Sequence, residues 1–148
     1  MTESETRVLV VGATGNQGGA VVDHLLASTA AFDVRGLTRD ATSDAARALE
    51  DRGVTMVEGD LDDPETLLDP VGDADAVFAV TNFWTEGYDA QVQQGKNVAG
   101  VAAEEGVDQF VFSGVGSHDE DTGVPHFDSA GEIDEYVRDL DLPWTILK

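Results

Sequence analysis

At 148 residues the chain is long enough for one hydrophobic core and short for two substantial domains, so it reads as a single folding unit over residues 1–148. Its 30 acidic residues stand against 8 basic ones, and the resulting charge of −22 at pH 7 repels phosphate backbones, which excludes direct nucleic-acid binding. The absence of cysteine removes disulfides, thiolate nucleophiles and cysteine metal sites, and no apolar run reaches the ~20 residues needed to cross a bilayer.

The opening Met1-Thr2-Glu3-Ser4-Glu5 lacks a basic segment followed by an apolar one, so a cytoplasmic protein is expected. The acidic residues are scattered along the chain and lysine is reduced to Lys96 and Lys148. Such a surface is similar to that of proteins adapted to high salt, where the Debye length falls to about 3 Å at 1 M and self-repulsion is screened. The alternative is an acidic face that docks a basic protein partner.

Strand and helix patterns then alternate from end to end, the signature of a parallel sheet covered by helices. Arg7-Val-Leu-Val-Val11 predicts a first strand buried on both faces. Gly12-Ala-Thr-Gly15-Asn-Gln-Gly18-Gly19 follows it and opens a helix over Gln17–Ser28, the context in which glycines at this spacing receive the phosphates of a dinucleotide. Gly12 permits the tight turn, Gly15 lets the main chain approach a pyrophosphate, and Gly18 lets the helix pack closely on the strand. The unpaired amides at the helix start face the anion. Ala13, Thr14, Asn16 and Gln17 belong to the same turn and are candidate contacts.

The second strand, Asp33–Thr38, ends in Leu37-Thr38-Arg39-Asp40, about 20 residues beyond the glycines. There an acidic residue takes the ribose hydroxyls of NAD, whereas an arginine accommodates the extra phosphate of NADP. Arg39 points to NADP, with NAD left open by the adjacent Asp40; alternatively Arg39 is a surface partner of Asp40 or Asp44. A helix over Ser43–Asp51 and a strand over Thr55–Glu58 come next. Gly59-Asp60-Leu61-Asp62 then falls at the expected adenine edge, where Asp60, with Leu61 beside it, would accept from the adenine amino group. The other reading makes Asp60 and Asp62 caps of the helix that Asp62-Asp63-Pro64-Glu65 opens, with proline at its first position.

Ala76–Val80 predicts the fourth strand, followed by Thr81-Asn82-Phe83-Trp84. Thr81 and Asn82 would hold a nicotinamide ribose and Phe83 or Trp84 would wall the ring, or both aromatics belong to the core. The longest helix covers Tyr88–Glu105 and carries Lys96, whose retention in a lysine-poor chain points to a role, a salt bridge on the helix being the plainest. Ser113-Gly114-Val115-Gly116 ends the fifth strand, Gln109–Ser113. A helix over about Ser129–Leu140 and a last strand, Trp144–Leu147, complete a doubly wound Rossmann fold with expected strand order 3-2-1-4-5-6. All five motif segments then share the edge at which such sheets bind ligands. His24 and His118 have no partners at metal-ligand spacing, so no metal site is expected.

Gly12 to Gly19, Thr81-Asn-Phe-Trp84, Gln94-Gly-Lys96 and above all His126-Phe-Asp-Ser-Ala-Gly-Glu-Ile-Asp-Glu-Tyr136 resemble the NmrA-like family of atypical short-chain dehydrogenases, from Arg7 to Lys148. The resemblance implies NADP binding and one of two modes. Some members are redox sensors that bind the cofactor and partner proteins without turnover, and others are NAD(P)H-dependent reductases of quinones or similar acceptors. It also implies that relatives continue beyond the position of Lys148 into a smaller lobe, so the chain reads as cut short.

Short-chain dehydrogenases use a Tyr-x-x-x-Lys pair as proton donor and ribose holder. The resemblance puts His126 and Ala130 at these positions, and Gln93 at that of a second cofactor-facing lysine. Neither Tyr88 nor Tyr136 has a lysine four residues on. His126 is thus either a proton donor or an ordinary surface or capping residue. The expected function is an NADP-binding redox sensor, the alternative a reductase acting on quinone-like acceptors, and a third reading an acidic scaffold with a vestigial site.

Overall fold

Val8, Leu9, Val10 and Val11 point alternately to the two faces of a strand, so burying all four requires cover on both sides. All four are buried, with relative exposures of 8% or less. In the computed structural model, which describes residues 6–13, 16–28, 32–80, 88–113, 132–133 and 135–147, they form β1 (Thr6–Val11) near the middle of a six-stranded parallel sheet. The other strands are β2 (Phe32–Thr38), β3 (Thr55–Glu58), β4 (Ala76–Ala79), β5 (Gln109–Ser113) and β6 (Trp144–Leu147). Their order is β3-β2-β1-β4-β5-β6, the doubly wound arrangement expected from the sequence. β1 is in register with both neighbours, Val10 opposite Gly36 of β2 and Phe78 of β4.

The helices are α1 (Asn16–Ala27), α2 (Asp44–Asp51), a 3-10 turn (Pro64–Leu67) leading into α3 (Leu68–Gly72), and α4 (Tyr88–Glu105). Residues 132–133 and 135–138 are also helical. Small departures from the expected bounds have local causes. Ser43 stands outside α2 because its Oγ accepts from the Ala46 N–H at 3.2 Å, which makes it the N-cap. The cap of the 3-10 turn is Asp63, whose Oδ1 accepts from the Glu65 N–H at 3.2 Å, and not Asp62, because proline at the first position puts the cap immediately before it.

Two apolar clusters sandwich the sheet. One holds Val8, Val10, Val22, Val34, Leu49 and Phe78; the other holds Leu9, Val11, Val77, Val98, Phe110, Phe112 and Ile133. Full burial of such a side chain stabilises by about 1.5–3 kcal/mol. β1 feeds both clusters and is anchored on both faces, whereas the edge strands β3 and β6 keep Thr55, Glu58, Trp144 and Thr145 exposed. At the amino edge the Arg7 N–H and guanidinium donate to the two Asp75 oxygens at 2.8 and 3.3 Å. These bonds, the backbone one first, hold the Asp75 carboxyl below the usual carboxylate range and tie β1 to the turn before β4.

The helical residues near the C-terminus pack tightly on α4. A Cβ on Gly95 would sit 2.6 Å from the Ile133 side chain, so only glycine admits it there. Nearby, the Lys96 ammonium lies 5.6 Å from the centroid of the Tyr136 ring, a cation–π contact in place of the salt bridge expected on the helix. No described helix is long and apolar enough to cross a membrane.

Asp44, Glu50, Asp51, Asp69, Asp73, Glu104 and Glu105 are all exposed. The ion pairs among the described residues engage Asp75, Asp33 and Asp23, and 8 basic side chains cannot neutralise 30 acidic ones. Dilution should therefore destabilise the fold by restoring self-repulsion. Thermal unfolding in 2 M potassium chloride is expected to show a higher midpoint than in dilute buffer, each kcal/mol of relieved repulsion being worth roughly 2–4 °C. Equal midpoints would contradict salt adaptation.

Candidate functional site

The chain runs β1, β2, β3 to one side and then returns to place β4 on the other side of β1. In a doubly wound sheet the point where the strand order reverses, here between β1 and β4, is where ligands bind, in a crevice at the carboxyl ends of the strands. Gly12 leaves β1 with φ +85°, in the left-handed region, and a Cβ there would lie 2.9 Å from Val80 Cγ1. α1 starts only a few residues later, and Gly18 in its first turns seats the helix on the strand end. A Cβ on Gly18 would overlap the Gly12 carbonyl oxygen and lie 2.9 Å from the Ala13 nitrogen. Ala13 is itself buried. The start of α1 is thus held against the end of β1, where its unpaired amides border the crevice.

Gln17 is exposed, and its Oε1 accepts from the Ser113 hydroxyl at 2.8 Å. This bond joins the start of α1 to the end of β5, past the end of β4. Ser113 ends the fifth strand as expected, but its partner was not foreseeable, since 96 positions separate the two residues.

Arg39 emerges from the end of β2, exposed, and forms no ion pair with the described residues. Asp40 does not serve as its partner. Its Oδ1 accepts from the Thr42 N–H at 2.8 Å and from the Thr42 hydroxyl at 2.5 Å. The hydroxyl bond, then the backbone bond, keeps the Asp40 carboxyl below its ordinary range. The surrounding loop is further pinned by the Ala41 N–H donating to Glu58 Oε2 at 3.1 Å.

The turn after β3 is tied down from within and from α4. Asp60 Oδ1 accepts from the Asp62 N–H at 2.9 Å, and the Asp60 N–H donates to Thr66 Oγ1 at 2.8 Å. The Leu61 carbonyl accepts from Asn97 Nδ2 at 2.7 Å, while Asp62 Oδ1 accepts from Gln94 Nε2 at 3.1 Å. Asp62 therefore braces the turn and leaves the capping to Asp63. Gln93 is exposed and donates to Asn97 Oδ1 at 2.7 Å, so its amide supports Asn97.

A glycine turn at the switch point, a cation at the end of β2 and a braced acidic turn after β3 lie along one edge of the sheet. The family model described as the NmrA-like family matches residues 4–148. The chain belongs to the NmrA-like family. An NmrA-like family domain-containing oxidoreductase of Penicillium ochrochloron is 33% identical over 147 residues, covering 93% of this chain and 44% of the relative. Among solved structures, the triphenylmethane reductase of Citrobacter sp., complexed with NADP(H), superposes with a TM-score of 0.82 at 24% identity, covering 95% of this chain and 48% of that one. NmrA, a negative transcriptional regulator in complex with NADP, gives 0.78 at 23%, covering 97% and 45%. At these identities the two structures share the fold with this chain. The NmrA-like chain spans less than half the length of each of these three relatives.

Several residues that the sequence singles out lie outside those the structure describes: Thr14, Gly15, Thr81, Asn82, Phe83, Trp84, His126 and Ala130. Of Asn16 only the backbone is described, at the first position of α1. Among the described residues, no three His, Cys, Asp or Glu side chains come together as metal ligands. Gln94 and Asn97 join the turn after β3 although neither is among the residues that the sequence assigns to the site. Gln94, only 5% exposed, falls on the helical stripe that also buries Gln91 and Val98. A polar residue on an apolar stripe was the available signal, since a buried amide needs a partner.

Proposed function

We propose that this NmrA-like chain binds a nicotinamide dinucleotide along the carboxyl edge of its sheet, prefers NADP(H) to NAD(H), and works as a sensor whose cofactor occupancy alters association with a protein partner. The observation that carries the binding is the seat of α1 on β1. Gly18 brings the helix start against the Gly12 carbonyl, and a side chain at position 18 would push α1 off the strand end together with the amides that would face a pyrophosphate. Gly12, Ala13, Thr14, Gly15, Asn16, Gln17 and Gly18 would surround the pyrophosphate. Arg39, unpaired among the described residues, would take the ribose phosphate.

The adenine fits the turn after β3. Once the internal bonds are made, the second carboxylate oxygen of Asp60 and the N–H of Leu61 have no partner among the described residues. Adenine offers an amino donor beside a ring-nitrogen acceptor, which complements that pair. Thr81, Asn82 and Phe83 would meet the nicotinamide half, and Gln93 would act on the site through Asn97.

Bound reduced nicotinamide supplies a hydride, but hydride transfer also needs a proton and a well-held ribose. Ala130 can neither donate a hydrogen bond nor carry charge, and no tyrosine has a lysine four residues on. The sensor reading rests on this departure and on kinship with a regulator that binds NADP. A reductase reading is favoured by the oxidoreductase name of the Penicillium relative and by the Citrobacter enzyme, with His126 as the proton donor.

Calorimetric titration with NADPH and NADH, followed by NADPH oxidation with a quinone acceptor, separates the two. The chain should bind NADPH and show little steady-state turnover, because a small displacement of the reacting carbon costs ~100-fold in rate. Ala130→Lys is expected to tighten NADPH binding without restoring much turnover. Brisk, saturable turnover by the unmodified chain would establish the reductase reading.

A further inference from the structure

Two amides of α4, Gln94 and Asn97, reach the turn after β3, and a third, Gln93, supports Asn97, although none of them is placed to be read from the glycine motif or from the strand ends. Gln94 is buried and donates to Asp62 Oδ1 at 3.1 Å. Asn97 donates to the Leu61 carbonyl at 2.7 Å and is itself held by the Gln93 amide at 2.7 Å. These bonds arrive from a helix 32 and 36 positions further along the chain, so they fix the turn against the body of the protein and not merely against itself.

They also decide which groups of the turn stay available. Asn97 occupies the Leu61 carbonyl, Asp62 is drawn to Gln94, and one Asp60 oxygen is used by the Asp62 N–H. Among the described residues, what remains on adjacent positions is one acceptor, on Asp60, and one donor, the Leu61 N–H. The Leu61 carbonyl belongs to the peptide whose N–H, that of Asp62, donates to Asp60 Oδ1, so a turn free to rotate this peptide would release the Asp60 carboxylate from the bond that fixes its orientation.

We infer that Asn97 and Gln94 are positioning residues for base recognition: by holding the Leu61–Asp62 peptide, which orients the Asp60 carboxylate, and the Asp62 side chain, they keep the turn in the form that accepts adenine and rejects a base of opposite hydrogen-bonding pattern. This deepens the proposal of a dinucleotide site and rests on it. Selectivity for the base is then set by side chains that touch only the turn, with preorganisation as the physical cause.

The test compares NADPH with nicotinamide hypoxanthine dinucleotide phosphate, in which a carbonyl replaces the adenine amino group and the neighbouring ring nitrogen carries a proton. The parent should bind NADPH about tenfold more tightly than the hypoxanthine analogue. Asn97→Ala, Asn97→Asp and Gln94→Ala should each bring the ratio down towards unity, chiefly by weakening NADPH. Asn97→Asp keeps the bond from Gln93 but turns an acceptor towards the Leu61 carbonyl, so it should do at least as badly as Asn97→Ala.

Gln94→Glu should also lose selectivity by setting two carboxylates against each other. Adding Asp62→Asn, which reverses donor and acceptor, should restore it. Circular dichroism at the titration salt checks folding; if Asn97→Ala does not fold, Gln94→Ala and the exchanged pair carry the test.

Variants that retain the parent's ratio would overturn the inference and reduce these amides to fold stabilisers. A parent that binds both compounds equally would also overturn it, while leaving the dinucleotide site standing. A parent that binds neither overturns both.

Discussion

Gly18→Ala is expected to destabilise the fold by about 3 kcal/mol and to abolish cofactor binding, whereas Gly19→Ala should leave both intact. A Cβ at position 18 would overlap the Gly12 carbonyl oxygen and crowd the Ala13 nitrogen, and both are main-chain atoms of the strand end and its turn. A flexible side chain could swing aside; a strand anchored in two apolar clusters cannot. The helix must instead lift away, which removes its amides from the crevice and loosens Val22, fully buried on the same helix. At Gly19 the added carbon would lie 3.7 Å from the Ala13 carbonyl, an ordinary contact. There alanine gains up to ~1 kcal/mol of helix propensity. Urea unfolding of the two variants in molar potassium chloride, with NADPH titration of each, checks the contrast. Equal stabilities would mean that α1 is not seated on β1 as described.

Arg39→Ala is expected to reduce a ten- to hundredfold preference for NADPH over NADH to almost none. An exposed arginine that pairs with nothing described leaves its donors available to an incoming phosphate. A charge-assisted contact of this kind is worth ~1.5–3 kcal/mol, which is the stated range in affinity. Asp40 does not cancel the effect by ion pairing, because its Oδ1 is engaged by Thr42. The overall charge of −22 opposes any anionic ligand, so the local cation matters more here than on a neutral surface. Titration of both cofactors against parent and variant at fixed salt gives the ratio. If Arg39→Ala binds NADPH as tightly as the parent does, the residue belongs to the surface alone. The preference should also shrink as salt is raised, since screening weakens an exposed contact.

The sequence by itself determined the architecture. Four consecutive buried residues in β1, regular alternation of strand and helix, and glycines at positions 12, 15 and 18 are local patterns with a period or spacing that physics restricts to few outcomes. The strand order follows from them through the handedness of parallel crossovers. The cap after β3 was read one residue early, at Asp62; it is Asp63, the residue that a proline at the first helical position names.

What only the tertiary structure decided is which polar groups are spent on the protein and which are left for a ligand. Gln17 with Ser113, Gln94 with Asp62, Asn97 with Leu61 and Lys96 with Tyr136 are separated by tens of positions and meet only when α1 and α4 settle on the sheet. The same holds for the negative finding at Arg39, whose acidic neighbour in sequence is committed elsewhere. The reason is that a hydrogen bond demands placement within a few tenths of an ångström and the right angle. Sequence periodicity specifies which face of an element is buried, not the offset and rotation with which one element seats on the next; that is decided by side-chain packing, as where Gly18 meets Gly12 and Gly95 admits Ile133.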